Sequence, residues 1–138
     1  MRLLIFQAKH FEFTATHKGS PLGAEIPEPS ADRIEQTLVA FIQMEPRDEE
    51  RDKAVLDQAV KYFRWFARKR EMKRIVLHSF AHLAEERSSP EFALAFFQRL
   101  QEKLEQYEFV VSQTPFGWSL EWDLNVEGHA FAKTFKAL

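Results

Sequence analysis

The 138-residue chain has no cysteine. That excludes disulfides, thiolate zinc sites, iron–sulfur clusters and a cysteine nucleophile, and it fits a reducing compartment. Glycine is scarce as well: there are four, spread along the chain, so no glycine-rich phosphate loop exists. Neither sign of charge dominates. Nineteen Lys and Arg face twenty-one Asp and Glu for a net charge of −2, which argues against a generally basic nucleic-acid coat but leaves room for a local patch. Apolar runs are only a few residues long, too short to span a membrane, and Met1 to Phe6 is too short for a signal-peptide core. The expectation is a soluble, cytoplasmic protein forming one domain over residues 1–138.

What the chain has in quantity is phenylalanine, fourteen residues out of nineteen aromatics, within an apolar fraction of 45%. A core built largely from rings follows. Leu3 to Phe6 is continuously apolar, as in a strand buried on both faces. Phe11, Phe13 and Ala15 then alternate with polar residues, so the two runs read as a hairpin. Lys18 to Ser30 holds two glycines and three prolines and reads as a loop. Gln36 to Met44 is rich in β-formers and predicts a third, buried strand.

Val55, Leu56, Ala59, Val60, Phe63, Phe66 and Ala67 recur at steps of three and four, the stripe of an amphipathic helix. Arg74 to Leu77 predicts a strand. Ser88-Ser89-Pro90-Glu91 is a helix start, with a serine cap, a proline in the first turn and an acid at the positive end of the dipole. Phe92, Ala93, Phe96, Phe97, Leu100 and Leu104 mark the buried face of that helix. Glu108 to Val111 and Trp118 to Leu124 predict two further strands about a Pro115-Phe116-Gly117 turn, and Gly128 to Leu138 predicts a short helical tail. The resulting order β-β-β-α-β-α-β-β describes an α/β domain with a mixed sheet and two main helices.

Among chemistry-bearing residues, His10, His17, His78, His82 and His129 show no metal-ligand pattern. His78 and His82 are four apart but carry no hydrolytic glutamate between them, so no metal is expected. Ser79, Ser88 and Ser119 lack a nucleophile-elbow context. Lys61 to Arg74 holds seven positive residues against the single acid Glu71; it reads either as a solvated helix face or as a docking surface for an RNA backbone. His82 lies just past a strand end, where α/β sheets place ligands, and is either a ligand-facing group or a structural cap. Thr114 to Trp118 is a rigid turn with two large rings, either a hydrophobic plug or a stacking platform for a base.

Phe80-Ala81-His82-Leu83 after a strand, Pro115-Phe116-Gly117 followed by aromatic Trp118, and Gly128-His129 before a short tail together resemble the archaeal threonyl-tRNA synthetase editing domain. Met1 to Ile5 and Leu38 to Ile42 are similar to that family too, so the likeness covers nearly the whole chain. It implies the D-aminoacyl-tRNA deacylase-like fold, usually as a homodimer. It also implies hydrolysis of L-serine wrongly esterified to threonine tRNA, in a pocket that reads the amino acid with main-chain groups. In the family the 2′-hydroxyl of the terminal adenosine assists the water, and no cofactor is needed. The implied partners are the aminoacylated 3′ end of a tRNA and a threonyl-tRNA synthetase.

Carried over by position, the resemblance makes Phe80, Ala81 and His82 walls of the aminoacyl pocket. Phe116, Gly117, Trp118 and Ser119 become the adenosine side. The chain also departs from the family. After Pro-Phe-Gly the family has two tyrosines and a functional lysine, where this chain has Trp118, Ser119 and Leu120. A family acid in the tail corresponds to Lys133, so His82 and Lys133 are the candidate catalytic side chains. Three readings follow: an editing deacylase, a non-catalytic module for charged tRNA or a synthetase, and a fold relative with an unrelated small ligand.

Overall fold

The computed structural model describes residues 1–138. Six strands and two helices follow in the order β1 (Arg2–Lys18), β2 (Ala31–Gln43), α1 (Asp52–Arg70), β3 (Arg74–Ser79), α2 (Pro90–Glu105), β4 (Val110–Gln113), β5 (Trp118–Val126) and β6 (Lys133–Ala137). One curled sheet holds every strand, in the order β4-β3-β2-β1-β5, with β6 beside the first part of β1. The pairs β2–β3 and β3–β4 are parallel, and every pair made by β1 is antiparallel. Each parallel pair is bridged by a helix, because parallel neighbours need a crossover long enough to return the chain to the same end of the sheet.

Two parts of this architecture correct the sequence reading. The expected N-terminal hairpin is one strand of seventeen residues. At Lys9 the β1–β5 ladder shifts register, and its partner in β2, Gln36, has φ of 49°. Across that kink the inward-facing side chains of β1 change from even to odd numbers: Leu4, Phe6 and Ala8 share a cluster with Phe11 and Phe13. A change of phase is also how a turn between two strands looks in a sequence. The tail is the second correction. Only Ala130–Ala132 is helical, as a single 3-10 turn, and Lys133–Ala137 forms β6 by pairing with Arg2–Phe6.

Both helices form where the periodicity places them. The α1 stripe from Val55 to Ala67 is buried against the sheet. The Ser89 hydroxyl caps α2 by accepting from the Phe92 N–H at 3.3 Å. Both helices cover the same sheet face, where Leu3, Ile5, Leu38, Ala40, Ile42, Ile75 and Leu77 meet Phe63, Phe96 and Phe97. Each of these rings is fully or almost fully buried and stabilises the fold by about 2–3 kcal/mol. The opposite face has no helix. It is closed by the curl of the sheet, which gathers Phe11, Phe13, Val39, Phe41 and Val76 beneath Phe80, Leu120 and Leu124. Leu3 to Phe6 is therefore continuously apolar because it serves both faces.

The N-terminus is held inside. The Met1 ammonium lies 2.6 Å from Asp48 and 2.9 Å from Glu45, and the side chains of Met1 and Asp48 are both fully buried. Burial alone would raise the Glu45 carboxyl, but the ammonium and Arg2 outweigh it and hold that group below its ordinary range. The Leu138 N–H donates to the Met1 carbonyl at 2.9 Å, continuing the β1–β6 ladder to the last residue. No helix is long and apolar enough to cross a membrane.

Candidate functional site

Beyond the C-terminal ends of the parallel strands opens a cleft of about 450 Å³. Ends of parallel strands are where an α/β sheet leaves main-chain groups and short connections to meet a ligand. The floor is Ile42 to Met44 at the end of β2 and His78, Ser79 and Ala81 at the end of β3. Arg87, Ser88, Pro90, Ala93 and Phe97 supply one wall, from the start of α2. Thr114 to Ser119, between β4 and β5, supply the other, and Gly19 to Pro21 close one side.

Each wall is fixed by backbone contacts. The buried Gln43 side chain acts as a clamp: its Oε1 accepts from Leu83 N–H at 2.5 Å and Ala84 N–H at 2.8 Å, and its Nε2 donates to the carbonyls of Ala84 and Glu86. Phe80 N–H donates to Ile42 O at 2.9 Å, and Ser88 N–H to Met44 O at 2.9 Å. The segment from Ala81 to Ser88 is thus tied to the end of β2 although it has no regular structure.

The opposite wall is locked to the first loop. Gly117 O accepts from the N–H groups of Gly19 at 2.7 Å and Ser20 at 3.1 Å. The Trp118 indole N–H donates to Ala24 O at 2.8 Å. Gly117 has φ of +79°, and a Cβ there would lie 3.0 Å from both Cα and N of Gly23. Only glycine satisfies both the left-handed backbone and that approach.

His78 and Arg87 are the ionisable side chains of the lining. His78 is buried, and desolvation holds its imidazole down at about 4, so it is neutral near pH 7. Its Nδ1 lies 2.8 Å from Thr114 Oγ1. The ring meets Phe41 edge-on with centroids 5.1 Å apart. Arg87 is exposed.

Of the residues expected at the site, Ala81, Phe116, Gly117, Trp118 and Ser119 line this cleft together. Phe80 and His82 flank it. The Phe80 ring stands 6.1 Å from His78 and 5.0 Å from Phe41, and the exposed His82 ring stands 5.0 Å from Phe80. Lys133 lies elsewhere, exposed at the start of β6 opposite Phe6. Leu120 packs into the apolar cluster on the uncovered sheet face. The sequence reading does not assign His78, Gln43 or Arg87 to the site. The available signal is polar: Gln43 and His78 each directly follow an apolar run, Leu38 to Ile42 and Ile75 to Leu77.

Residues 1–138 match the family described as the archaea-specific editing domain of threonyl-tRNA synthetase. Curated relatives include the threonine–tRNA ligases of Nitrosopumilus maritimus, 30% identical over all of this chain and 21% of that protein, and of Methanopyrus kandleri, 32% identical over 96% of this chain and 21% of that protein. The ligase of Methanothrix thermoacetophila is 32% identical over all of this chain and 22% of that protein. The chain spans about a fifth of the length of the curated relatives it matches. A solved structure titled c-Myc DNA unwinding element binding protein superposes with a TM-score of 0.70 at 10% identity, covering 100% of this chain and 99% of that one. The shared architecture is the D-aminoacyl-tRNA deacylase-like fold.

Proposed function

Because the chain belongs to the archaea-specific editing-domain family of threonyl-tRNA synthetase, whose place is in aminoacyl-tRNA editing, we propose that it hydrolyses the ester of seryl-tRNA(Thr). The observation that carries this reading is the cleft beyond β2, β3 and β4, where Ala81 meets the Phe116-Gly117-Trp118-Ser119 wall. On this reading Ala81, flanked by Phe80 and His82, walls the aminoacyl group. Phe116 and Trp118 take the terminal adenosine, and exposed Arg87 meets a phosphate.

The lining offers no carboxylate base, and His78 is neutral and already engaged with Thr114. On this reading the substrate's own 2′-hydroxyl orients and activates the water, as the resemblance to the editing-domain family implies. The water adds to the ester carbonyl, the bond from that carbon to the ribose oxygen breaks, and serine leaves with a free tRNA hydroxyl. Positioning and hydrogen bonds to the developing oxyanion supply the acceleration. Serine lacks one methyl of threonine, a difference too small for one binding step to sort well, so a second sieve that rejects threonine is useful. No step is assigned to Lys133.

The test is release of serine from Ser-tRNA(Thr) beside Thr-tRNA(Thr). Serine release above the spontaneous rate, with threonine spared and a loss of tenfold or more in a cleft-filling Ser119→Trp variant, supports the reading. A wild type that releases neither overturns it. Leu120 favours a second reading, since the family's lysine is here an apolar packing residue. In that case the chain binds the aminoacylated tRNA end without cleaving it. Tight binding of a non-hydrolysable seryl-amide of adenosine with no turnover distinguishes that reading from the first.

A further inference from the structure

The outer side of α1, away from its core stripe, holds a second depression of about 470 Å³, lined by Lys61, Arg64, Trp65, Arg68 and Lys69. These positions follow the three- and four-residue spacing of one helix face. None of the four cations is ion-paired, whereas Lys53, near the start of the same helix, holds Asp57, and Arg33 and Arg99 elsewhere each hold a carboxylate. Four cations without an acidic partner thus share one groove, in a chain of net charge −2.

Two features separate this groove from an ordinary solvated face. Trp65, 51% exposed, stands among the cations, where water contact with its ring is costly. The Arg64 guanidinium carbon lies over the Tyr107 ring, 3.7 Å from its centroid, and is held there before any ligand arrives. Cations interleaved with exposed rings suit a phosphate backbone with bases or sugars attached.

We propose that this groove seats the phosphate backbone of the RNA whose 3′ end enters the cleft, an inference that rests on the deacylase reading above. The placement agrees. As the crossover between two parallel strands, α1 runs opposite to them, so its second half lies away from the cleft. Asp52 to Trp65 spans about 20 Å at 1.5 Å per residue. Unpaired 3′ nucleotides would cover that distance and leave the paired stem against Lys61, Arg68 and Lys69.

The test measures binding of an unacylated tRNA(Thr) transcript to the full chain by fluorescence anisotropy from 50 to 300 mM KCl. The triple variant Lys61→Gln, Arg68→Gln, Lys69→Gln changes exposed positions and keeps the fold. It is expected to bind tenfold or more weakly at 100 mM and to lower the salt slope by about 2–3, near 0.9 per lost phosphate contact. Trp65→Ala is expected to weaken binding about tenfold with the slope unchanged. Turnover separates the two proposals: the triple variant should lose kcat/KM on Ser-tRNA(Thr) yet keep the wild-type rate on seryl-adenosine, which is too short to reach the groove. A triple variant that binds tRNA with wild-type affinity and slope overturns the groove, whatever the turnover. A wild type that binds tRNA through the groove but cleaves neither substrate overturns the deacylase reading and leaves the groove standing.

Discussion

His78 Nδ1 lies 2.8 Å from the hydroxyl of Thr114, joining the ends of β3 and β4 beneath the cleft across thirty-six positions of sequence. This contact ties a neutral, buried imidazole to the turn that carries Phe116 and Trp118. Site geometry and acid stability therefore depend on the same pair.

Burial lowers His78 from its ordinary value of 6.5 to about 4. In that window the unfolded chain takes up a proton that the folded chain refuses. Stability is complete above pH 6.5 and falls as the pH drops, by about 3 kcal/mol at pH 4 from this group. Urea midpoints measured between pH 4 and 7 should fall less steeply for His78→Asn than for the wild type. Parallel curves would show that His78 titrates normally.

Gly117→Ala adds a methyl where φ is +79° and Gly23 backbone atoms lie 3.0 Å away. The left-handed backbone costs about 1 kcal/mol, and the contact raises the total to about 2–3 kcal/mol. Seryl-tRNA hydrolysis should fall by more than the unfolded fraction explains, because the cleft wall moves. Circular dichroism melts beside single-turnover rates measure both.

Asp48→Asn leaves the Met1 ammonium buried beside one carboxylate in place of two. Losing one partner of a buried charge costs about 3 kcal/mol. Glu45→Gln, whose side chain is 13% exposed, should cost less. Urea unfolding of both variants ranks them, and equal losses would contradict this account of the N-terminus.

Leu120→Lys brings an ammonium against the cluster containing Phe11, Phe13 and Leu124. Its stem can reach partway to water, so the expected loss is about 1–2 kcal/mol. Deacylation should not rise, because Ser119 faces the cleft and Leu120 does not. A gain in serine release would show that the lysine can turn into the cleft.

The helices were legible because burial on one side of α1 leaves a stripe at helical spacing, and Val55 to Ala67 carries it without a break. The turn from Pro115 to Trp118 was legible from its residues. β6 was not: from Lys133 to Ala137 it is held by backbone pairing with β1 and is largely exposed, so burial wrote no alternation into it. The place of His78 in the site is not legible from the sequence either. Its partner is Thr114, and only the parallel pairing of β3 with β4 brings the two together.

Lys9 gives the kink in β1 a further meaning. Its side chain is exposed, so exchanging it for another polar residue should pass almost unnoticed. Removing it would turn Phe11 and Phe13 toward water and bring Glu12 and Thr14 inward. The chain needs a residue there as a spacer, whatever its chemistry. Among relatives this position should therefore vary freely in identity and hardly ever in length.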